Sequence, residues 1–121
     1  MMDISRCKRN FQALVRKRYD KNEDLRKRIL QNEIPKIIEW MGQTNRINKA
    51  YLFGSILEEG NFGKESDIDL GIIGADNGLY FDTWRQLEEL SNLKIDLRVL
   101  DRINSFTESV TQRGKLIYEK R

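Results

Sequence analysis

The sequence contains 121 residues with a formal net charge of +3; charged residues make up 34% of the chain and apolar residues 39%. This length is typical of one domain with a modest core. The absence of histidine and the single cysteine, Cys7, exclude Ser-His-Asp triads, Cys-His pairs and zinc sites built from His or Cys, which leaves carboxylates, Lys or Arg, backbone donors and hard cations for any catalysis.

Two helices are predicted in the first part of the chain. Residues 4–19 carry apolar side chains at helical spacing, and Asn22 is placed to cap a second helix. Pro35 interrupts that second helix, so we expect a kink or two abutting helices there. The apolar side chains of the first helix are Ile4, Phe11, Leu14, Val15 and Tyr19, and those of the second are Leu25, Ile29, Ile34, Ile37, Ile38 and Met41.

After these helices the apolar pattern changes to the alternation of strands. Residues 49–53 predict a short buried strand that ends at Gly54, and a loop containing Gly60 and Gly63 leads into a second strand over residues 66–73. The remaining predicted elements are a turn at 74–78, a helix over 79–90, a strand over 94–100, a helix over 105–113 and an extended tail over 115–119.

Helices precede and alternate with the strands, which predicts an α/β (α+β) fold with a small mixed sheet covered by helices. We expect residues 1–44 to form an N-terminal helical extension packed on a core of residues 45–121, in one compact domain overall. No apolar run is long enough to span a membrane, no signal peptide is visible, and one cysteine fits a reducing compartment, so we expect a cytoplasmic protein.

Two aspartates share one face of the second predicted strand. Asp67 and Asp69 lie on the same side because strand side chains alternate, while Ile68 and Leu70 occupy the other side. Two exposed carboxylates on α-carbons about 7 Å apart would repel each other unless a cation lies between them. Mg²⁺ suits this arrangement, because it takes one or two carboxylates and completes its shell with water and substrate phosphates.

A third aspartate and a glycine-containing turn extend this pattern. If the third predicted strand pairs beside the second, Asp96 reaches the same face, and three carboxylates can hold two metal ions about 3.5–4 Å apart. Upstream, Gly54 and Ser55 offer backbone N–H groups and a hydroxyl to an anion. These residues predict metal-dependent phosphoryl chemistry, with Asp96 as the general base or as the ligand that orients an acceptor hydroxyl.

Two segments of the chain resemble the minimal nucleotidyltransferases (MNT) of the DNA polymerase β-like superfamily. The similarity covers about residues 45–118 and implies a nucleotidyltransferase fold with Mg²⁺-dependent transfer of a nucleotidyl group from a nucleoside triphosphate, with ATP as the expected donor. It also implies that Gly54 and Ser55 bind phosphate, and that Asp67, Asp69 and Asp96 are the catalytic and metal-binding residues. The segments are Leu52-Phe53-Gly54-Ser55 and Ser66-Asp67-Ile68-Asp69-Leu70, together with the strand Ile95-Asp96-Leu97 and the tail Gly114-Lys115-Leu116-Ile117-Tyr118.

The chain departs from the family pattern directly after the Gly-Ser pair. Many relatives continue with a small residue, an arginine and a glycine, whereas Glu58 stands here where the arginine would fall. A cation that could help to bind phosphate is therefore missing at this position. Lys64 and Arg98 are the weaker candidates to supply it.

Small stand-alone proteins of this kind resemble the antitoxins of HEPN/MNT toxin–antitoxin pairs. The resemblance implies a HEPN-type ribonuclease toxin as the partner, neutralised by transfer of AMP to a tyrosine or by direct binding. Residues 1–50 contain 13 Lys/Arg against 6 Asp/Glu. On charge alone, we expect the N-terminal helices to be an additional docking surface for the partner. A basic surface of this kind suits an acidic protein or nucleic acid, or is simply a solvated helix face.

Two other functions remain open. One is a nucleotidyltransferase that acts on a small molecule, although such enzymes usually have a further helical domain. The other is a non-catalytic module that binds protein or RNA. Nucleic acid is the less favoured partner, because we expect the aromatic side chains that could stack on bases, Phe11, Tyr19 and Trp40, to lie in the core.

Overall fold

The computed structural model describes residues 4–74 and 77–121, so the turn predicted at 74–78 lies partly outside the described residues. Four helices and four strands follow one another in the order that the sequence predicts. The helices are α1 (Ile4–Arg28), α2 (Ile34–Thr44), α3 (Tyr80–Ser91) and α4 (Ser105–Arg113), and the strands are β1 (Lys49–Phe53), β2 (Ile68–Ile73), β3 (Ile95–Val99) and β4 (Lys115–Glu119).

The predicted start of a second helix at Asn22 is wrong. α1 passes through this residue without a break, and the Asn22 side chain donates a hydrogen bond to the Gly60 carbonyl at 2.8 Å. Asn22 therefore binds a distant loop and does not cap a helix. The interruption comes later, as a π-helical turn over Ile29–Glu33 directly before Pro35, which lies in the first turn of α2 and lacks the N–H that would continue the helical hydrogen bonds.

The first five turns of α1 do not enter the core. Every residue from 4 to 21 is exposed, and the prediction that Phe11 and Tyr19 lie in the core is wrong, since they are 67% and 41% exposed. Trp40 is partly buried and packs against the core as expected. An amphipathic pattern predicts a helix with an apolar face, but it does not say whether that face meets another element of the same chain.

The strands form one mixed sheet in the order β3-β2-β1-β4. β1 pairs antiparallel with both β2 and β4, while β2 and β3 are parallel. The parallel pair requires a crossover connection, and α3 supplies it. This arrangement confirms the predicted mixed α/β architecture.

The core lies between the apolar face of the sheet and the helices. The second predicted helix face is buried or half-buried as expected, and it joins the strands in a single cluster. None of the helices in the described residues combines the length and apolar content that a membrane span requires. The boundary at residue 44 between extension and core stays a prediction. The fully or nearly fully buried members of the cluster include Ile29, Ile34, Ile37 and Met41 from the helices and Leu52, Ile68, Leu70, Ile72, Ile95 and Leu97 from the strands.

Candidate functional site

Asp69 and Asp96 are direct partners across β2 and β3. Both are half-buried, whereas the residue on each side of each aspartate is buried in the core. Because strand side chains alternate and neighbouring strands lie about 4.8 Å apart, the two carboxylates project side by side from the face opposite the core. The condition for Asp96 to share the face of Asp69, that the third strand pairs beside the second, is met. The buried neighbours are Ile68, Leu70, Ile95 and Leu97.

Asp67 lies one residue before β2 and is exposed. The strand predicted from residue 66 therefore begins later than expected, at Ile68. The loss of strand geometry does not remove Asp67 from the site, because its charge contributes to the raised pKa of Asp69. The three predicted aspartates thus share one electrostatic environment, with Asp69 at its centre.

Burial and like charges act together on Asp69. Partial burial is the main cause that raises the pKa of this carboxyl, and the charges of Asp96 and Asp67 raise it further, while Arg98 acts in the opposite direction. The ionised form of Asp69 is therefore disfavoured without a nearby cation. A bound cation would relieve both the desolvation and the repulsion.

Arg98 is a cation on the same strand as Asp96, and its charge acts on Asp69 as well. It lies two positions after Asp96 on β3, and its Nε and Nη2 donate to the two Asp96 carboxylate oxygens at 3.1 and 3.3 Å. The paired carboxylate raises the pKa of Arg98. Arg98, which we considered as a phosphate ligand, therefore forms a forked ion pair with Asp96 in this structure.

The donor set suits Mg²⁺, although the side chains are not arranged around a metal ion. Within residues 4–74 and 77–121, no group of three Asp, Glu, His or Cys side chains is placed to hold one. The carboxylates of Asp69 and Asp96 are hard oxygen donors on one face, and burial together with the neighbouring carboxylates raises the pKa of Asp69. A cation shared by these two residues would compete with Arg98 for Asp96.

The edge strand that carries Asp96 is held in place by α3. Tyr80 and Trp84 donate hydrogen bonds to the Leu97 and Ile95 carbonyls of β3. Glu88 accepts a hydrogen bond from the Ile95 N–H at 3.0 Å. These bonds satisfy backbone groups that an edge strand would otherwise leave open, and they fix the position of Asp96.

The Gly-Ser turn lies against Asp69. Phe53, the last residue of β1, pairs with Asp69, and Gly54 follows it with a φ of 76°. A Cβ on Gly54 would lie far inside van der Waals contact of the Asp69 Oδ2 atom. Glycine is therefore required twice, for its backbone angle and for its close approach to the carboxylate. Ser55 is half-buried in the 3₁₀ turn Gly54–Leu57, whose first N–H groups have no helical partner.

A cavity of about 300 Å³ opens beside this turn. Phe53 and Phe106 form one wall, with their rings edge to face at 5.7 Å, and Arg113 at the end of α4 forms another part of the lining. Glu58 also lines the cavity, and it accepts a hydrogen bond from Asn61. Sequence reasoning missed Arg113. The available signal was a cation at the end of a predicted helix, directly before the tail that resembles the family.

Lys64 and the Gly54–Ser55 turn lie at different cavities. It lines a second cavity of about 850 Å³ between α1 and the loop of residues 58–67, here called the basic cleft. The other cations of the basic cleft are Lys17, Arg18 and Lys21 of α1. The structure therefore brings Asp67, Asp69, Asp96, Gly54 and Arg98 together and places Lys64 with the N-terminal helix.

Solved structures with a similar fold include toxin–antitoxin complexes. One, a complex with AMP-PNP, is 26% identical with a TM-score of 0.58 over 74% of this chain and 75% of that chain. Another, an MNT antitoxin with the tri-AMPylated HEPN toxin of Shewanella oneidensis, is 24% identical with a TM-score of 0.53 over 74% and 72% of the two chains. A third, the MntA–HepT complex, is 23% identical with a TM-score of 0.54 over 74% and 73%.

The family match covers the sheet, α3, α4 and all of α2 except its first residue. No curated protein matches the chain. The family described as "Polymerase beta, Nucleotidyltransferase" matches residues 35–121, which include all four strands and every aspartate of the candidate site. The chain therefore belongs to the polymerase β-like nucleotidyltransferase family.

Proposed function

We propose that this chain transfers the AMP moiety of ATP, with Mg²⁺, to a protein acceptor, and that it acts as the antitoxin of a HEPN-type ribonuclease toxin. The observation that carries the proposal is the position of the Gly54 turn against Asp69, which is itself paired in register with Asp96. A phosphate-binding turn and a pair of carboxylates are thereby adjacent. Nucleotidyl transfer needs this proximity, because the metal must contact both the protein and the triphosphate.

Each part of the site has a role in this proposal. Gly54 and Ser55 hold the triphosphate through backbone N–H groups and a hydroxyl, and Arg113 supplies the cation that Glu58 does not. Asp67, Asp69 and Asp96 would hold the metal. When bound, Mg²⁺ neutralises the triphosphate and lowers the pKa of the acceptor hydroxyl.

The transfer is a substitution at the α-phosphorus. The acceptor hydroxyl oxygen forms a bond to this atom, and the bond from the α-phosphorus to the oxygen that bridges it to the β-phosphorus breaks. Pyrophosphate leaves with that electron pair. Asp96 orients the acceptor hydroxyl or accepts its proton, and Arg98 must release Asp96 for it to do so.

The solved structures with a similar fold support the nucleotide and the acceptor. One of them was determined with AMP-PNP, and another contains an AMPylated HEPN toxin with its MNT antitoxin. We extend ATP and the HEPN-type acceptor to this chain on that similarity. We place the pair in the cytoplasm, since the single cysteine, Cys7, is free and exposed.

The direct test is transfer of label from [α-³²P]ATP to the protein encoded by the neighbouring gene. Label should move only with Mg²⁺, and Asp69→Asn should reduce the rate at least about 100-fold, since the metal supplies several kcal/mol of charge stabilisation. Asp24→Asn is the matched control, because Asp24 is an exposed carboxylate on α1, outside the residues matched by the family. It should transfer label at the normal rate.

A second candidate is a binding antitoxin that performs no chemistry. The forked Arg98–Asp96 pair favours it, because an arginine already neutralises one of the three carboxylates. In that case the chain neutralises the toxin without transferring label, and Asp69→Asn neutralises it equally well. That result would overturn the enzymatic proposal, whereas the proposal of a HEPN-type toxin as the partner would stand.

A further inference from the structure

The basic cleft is a preformed cavity outside the aspartate site, the name used here for Asp67, Asp69 and Asp96. One wall is a face of α1 at the spacing of successive helical turns, and the other is the loop of residues 58–67. Its volume of about 850 Å³ falls within the range of ligand-binding pockets. The residues that carry the inference are Leu14, Lys17, Arg18, Lys21 and Leu25 on α1 and Lys64 on the loop.

The cleft carries positive charge that the chain does not neutralise. It contains four Lys or Arg side chains and one acidic residue, Glu65. Among the described residues, none of these four cations forms an ion pair with a carboxylate. Like charges gathered around one cavity repel one another, so an anionic ligand would be stabilised there.

Hydrogen bonds hold the two walls at a fixed separation. Gly60 donates its N–H to Glu23 at 2.8 Å and accepts from Asn22 at 2.8 Å. Arg26 donates to the Ile56 carbonyl at 2.9 Å. Glu23 is only 7% exposed, so these bonds are shielded from water. The cleft therefore exists before any ligand binds, and a ligand would not have to order it.

The cleft adjoins the aspartate site along the chain. Ser66 lines the cleft and Asp67 follows it directly, so their α-carbons are about 3.8 Å apart. The lining of the basic cleft therefore ends one residue before the first aspartate of the candidate site. The wall formed by α1 lies outside residues 35–121, which are the part matched by the family.

We propose that the basic cleft binds an acidic segment of the protein acceptor, close to the hydroxyl that receives the nucleotide. The inference rests on the proposed function, because it names a feature of that acceptor. A peptide fits better than a nucleic acid, because the lining contains aliphatic Leu14 and Leu25 but no aromatic side chain on which a base could stack.

The test uses charge reversal in the full chain and a fluorescein-labelled peptide of alternating glutamate and leucine. Lys17→Glu/Lys21→Glu should weaken binding of this peptide more than about 10-fold, because two attractions become repulsions. Lys8→Glu/Lys27→Glu makes the same change of charge at exposed positions of α1 outside the cleft and should retain most of the affinity. Lys17→Arg/Lys21→Arg should restore binding, and circular dichroism of each variant reports whether it folds.

Two readouts separate this inference from the proposed function. Peptide binding is measured without nucleotide in the Asp67→Asn/Asp69→Asn protein. The result of this measurement therefore does not depend on whether the chain transfers label. In the transferring protein, Lys17→Glu/Lys21→Glu should raise KM for the protein acceptor about 10-fold and leave KM for ATP unchanged. Equal weakening by both charge reversals, or tighter binding of a single-stranded oligonucleotide than of the peptide, would overturn the proposal.

Discussion

The aspartate site and the basic cleft are held in place by different means. Asp69 and Asp96 are positioned by two paired strands whose neighbouring side chains are buried in the core. Three of the four cations of the basic cleft, Lys17, Arg18 and Lys21, stand on the exposed part of α1. Asn22 donates a hydrogen bond to the Gly60 carbonyl and the Gly60 N–H donates one to Glu23, and these two bonds join the helix to the loop. The geometry of the aspartate site therefore depends on the packing of the core, whereas that of the basic cleft depends on a few hydrogen bonds between α1 and the loop. A substitution that disrupts one site should therefore leave the other unchanged.

The largest effect is expected from Gly54→Ala. The new methyl group would clash with the Asp69 carboxylate, and the backbone angle at Gly54 costs a residue with a Cβ about 1–2 kcal/mol. Nucleotidyl transfer should fall at least about 100-fold, because a displacement of about 1 Å in a positioning element can cost this much. Peptide binding in the basic cleft should not change.

Gly42→Ala is the matched control for this substitution. Gly42 lies in α2 and a Cβ there would meet no atom within 4 Å. Alanine should therefore stabilise the protein by about 0.5–1 kcal/mol through better helix propensity. Urea unfolding measures both variants, and a Gly54→Ala protein that retains normal transfer would contradict the placement of the turn in the site.

Glu23→Gln tests the other region. Loss of the charge weakens the hydrogen bonds from the Gly60 N–H and Arg26, both of which end on this buried carboxylate. The free energy of unfolding should fall by about 1–3 kcal/mol. Peptide binding in the basic cleft should weaken, whereas ATP binding should not. Glu39→Gln, an exposed change on α2, should alter neither quantity. A Glu23 variant that loses ATP affinity instead would show that the two regions are coupled.

Arg113→Gln should have a smaller effect, confined to the nucleotide. Arg113 lines the cavity that contains Gly54, and it is the cation that we assign to the triphosphate. Its removal should raise KM for ATP about 10-fold, in line with the loss of one charge-assisted hydrogen bond. Arg102→Gln removes a charge from an exposed position outside that lining and should leave KM for ATP unchanged. Steady-state kinetics that show equal KM values for both variants would remove Arg113 from the site.

The smallest effect is a difference in pH dependence between two carboxylates in metal-free protein. The pKa of Asp69 is raised, so its contribution is most favourable below the ordinary value of 3.8 and is lost as the pH rises through the higher value. Hydrogen bonds from Arg46 and Arg85 lower the pKa of Asp82, so its contribution is present above 3.8 and lost as the pH falls.

The substitutions should therefore have opposite signs. In EDTA at about pH 7, Asp69→Asn should be more stable than the original protein and Asp82→Asn less stable, with both differences shrinking towards about pH 3. Chemical unfolding at the two pH values measures this. An Asp69→Asn protein that is less stable at neutral pH would contradict the cost that we assign to burying the ionised Asp69 beside Asp96 and Asp67.

The sequence predicts the aspartate face well because strand alternation is a local property. Ile68 and Leu70 must be buried, and this alone directs Asp69 to the other face. The pairing of Asp96 with Asp69 was conditional, because periodicity does not reveal which strands are neighbours. The resemblance to a known family, and not the pattern of the chain, indicated the fold that makes them so.

The apolar pattern of α1 could not predict whether this helix packs against the core. Its apolar residues have helical spacing, but Phe11 and Leu14 remain exposed because no element of the described residues covers them. Asn22 has the chemistry of a helix cap, yet it binds Gly60, which is distant in sequence. Arg113 was missed for the same reason, since only the folded chain brings the end of α4 beside Gly54.

The central claim is that the Gly54 turn and the aspartates form one metal and nucleotide site. Calorimetric titration of AMP-PNP into the protein, with Mg²⁺ and then with EDTA, tests it most directly. We expect binding that requires Mg²⁺ and weakens more than about 10-fold in Asp69→Asn, because the metal joins the triphosphate to the carboxylates. Equal binding in EDTA, or in Asp69→Asn, would contradict the claim.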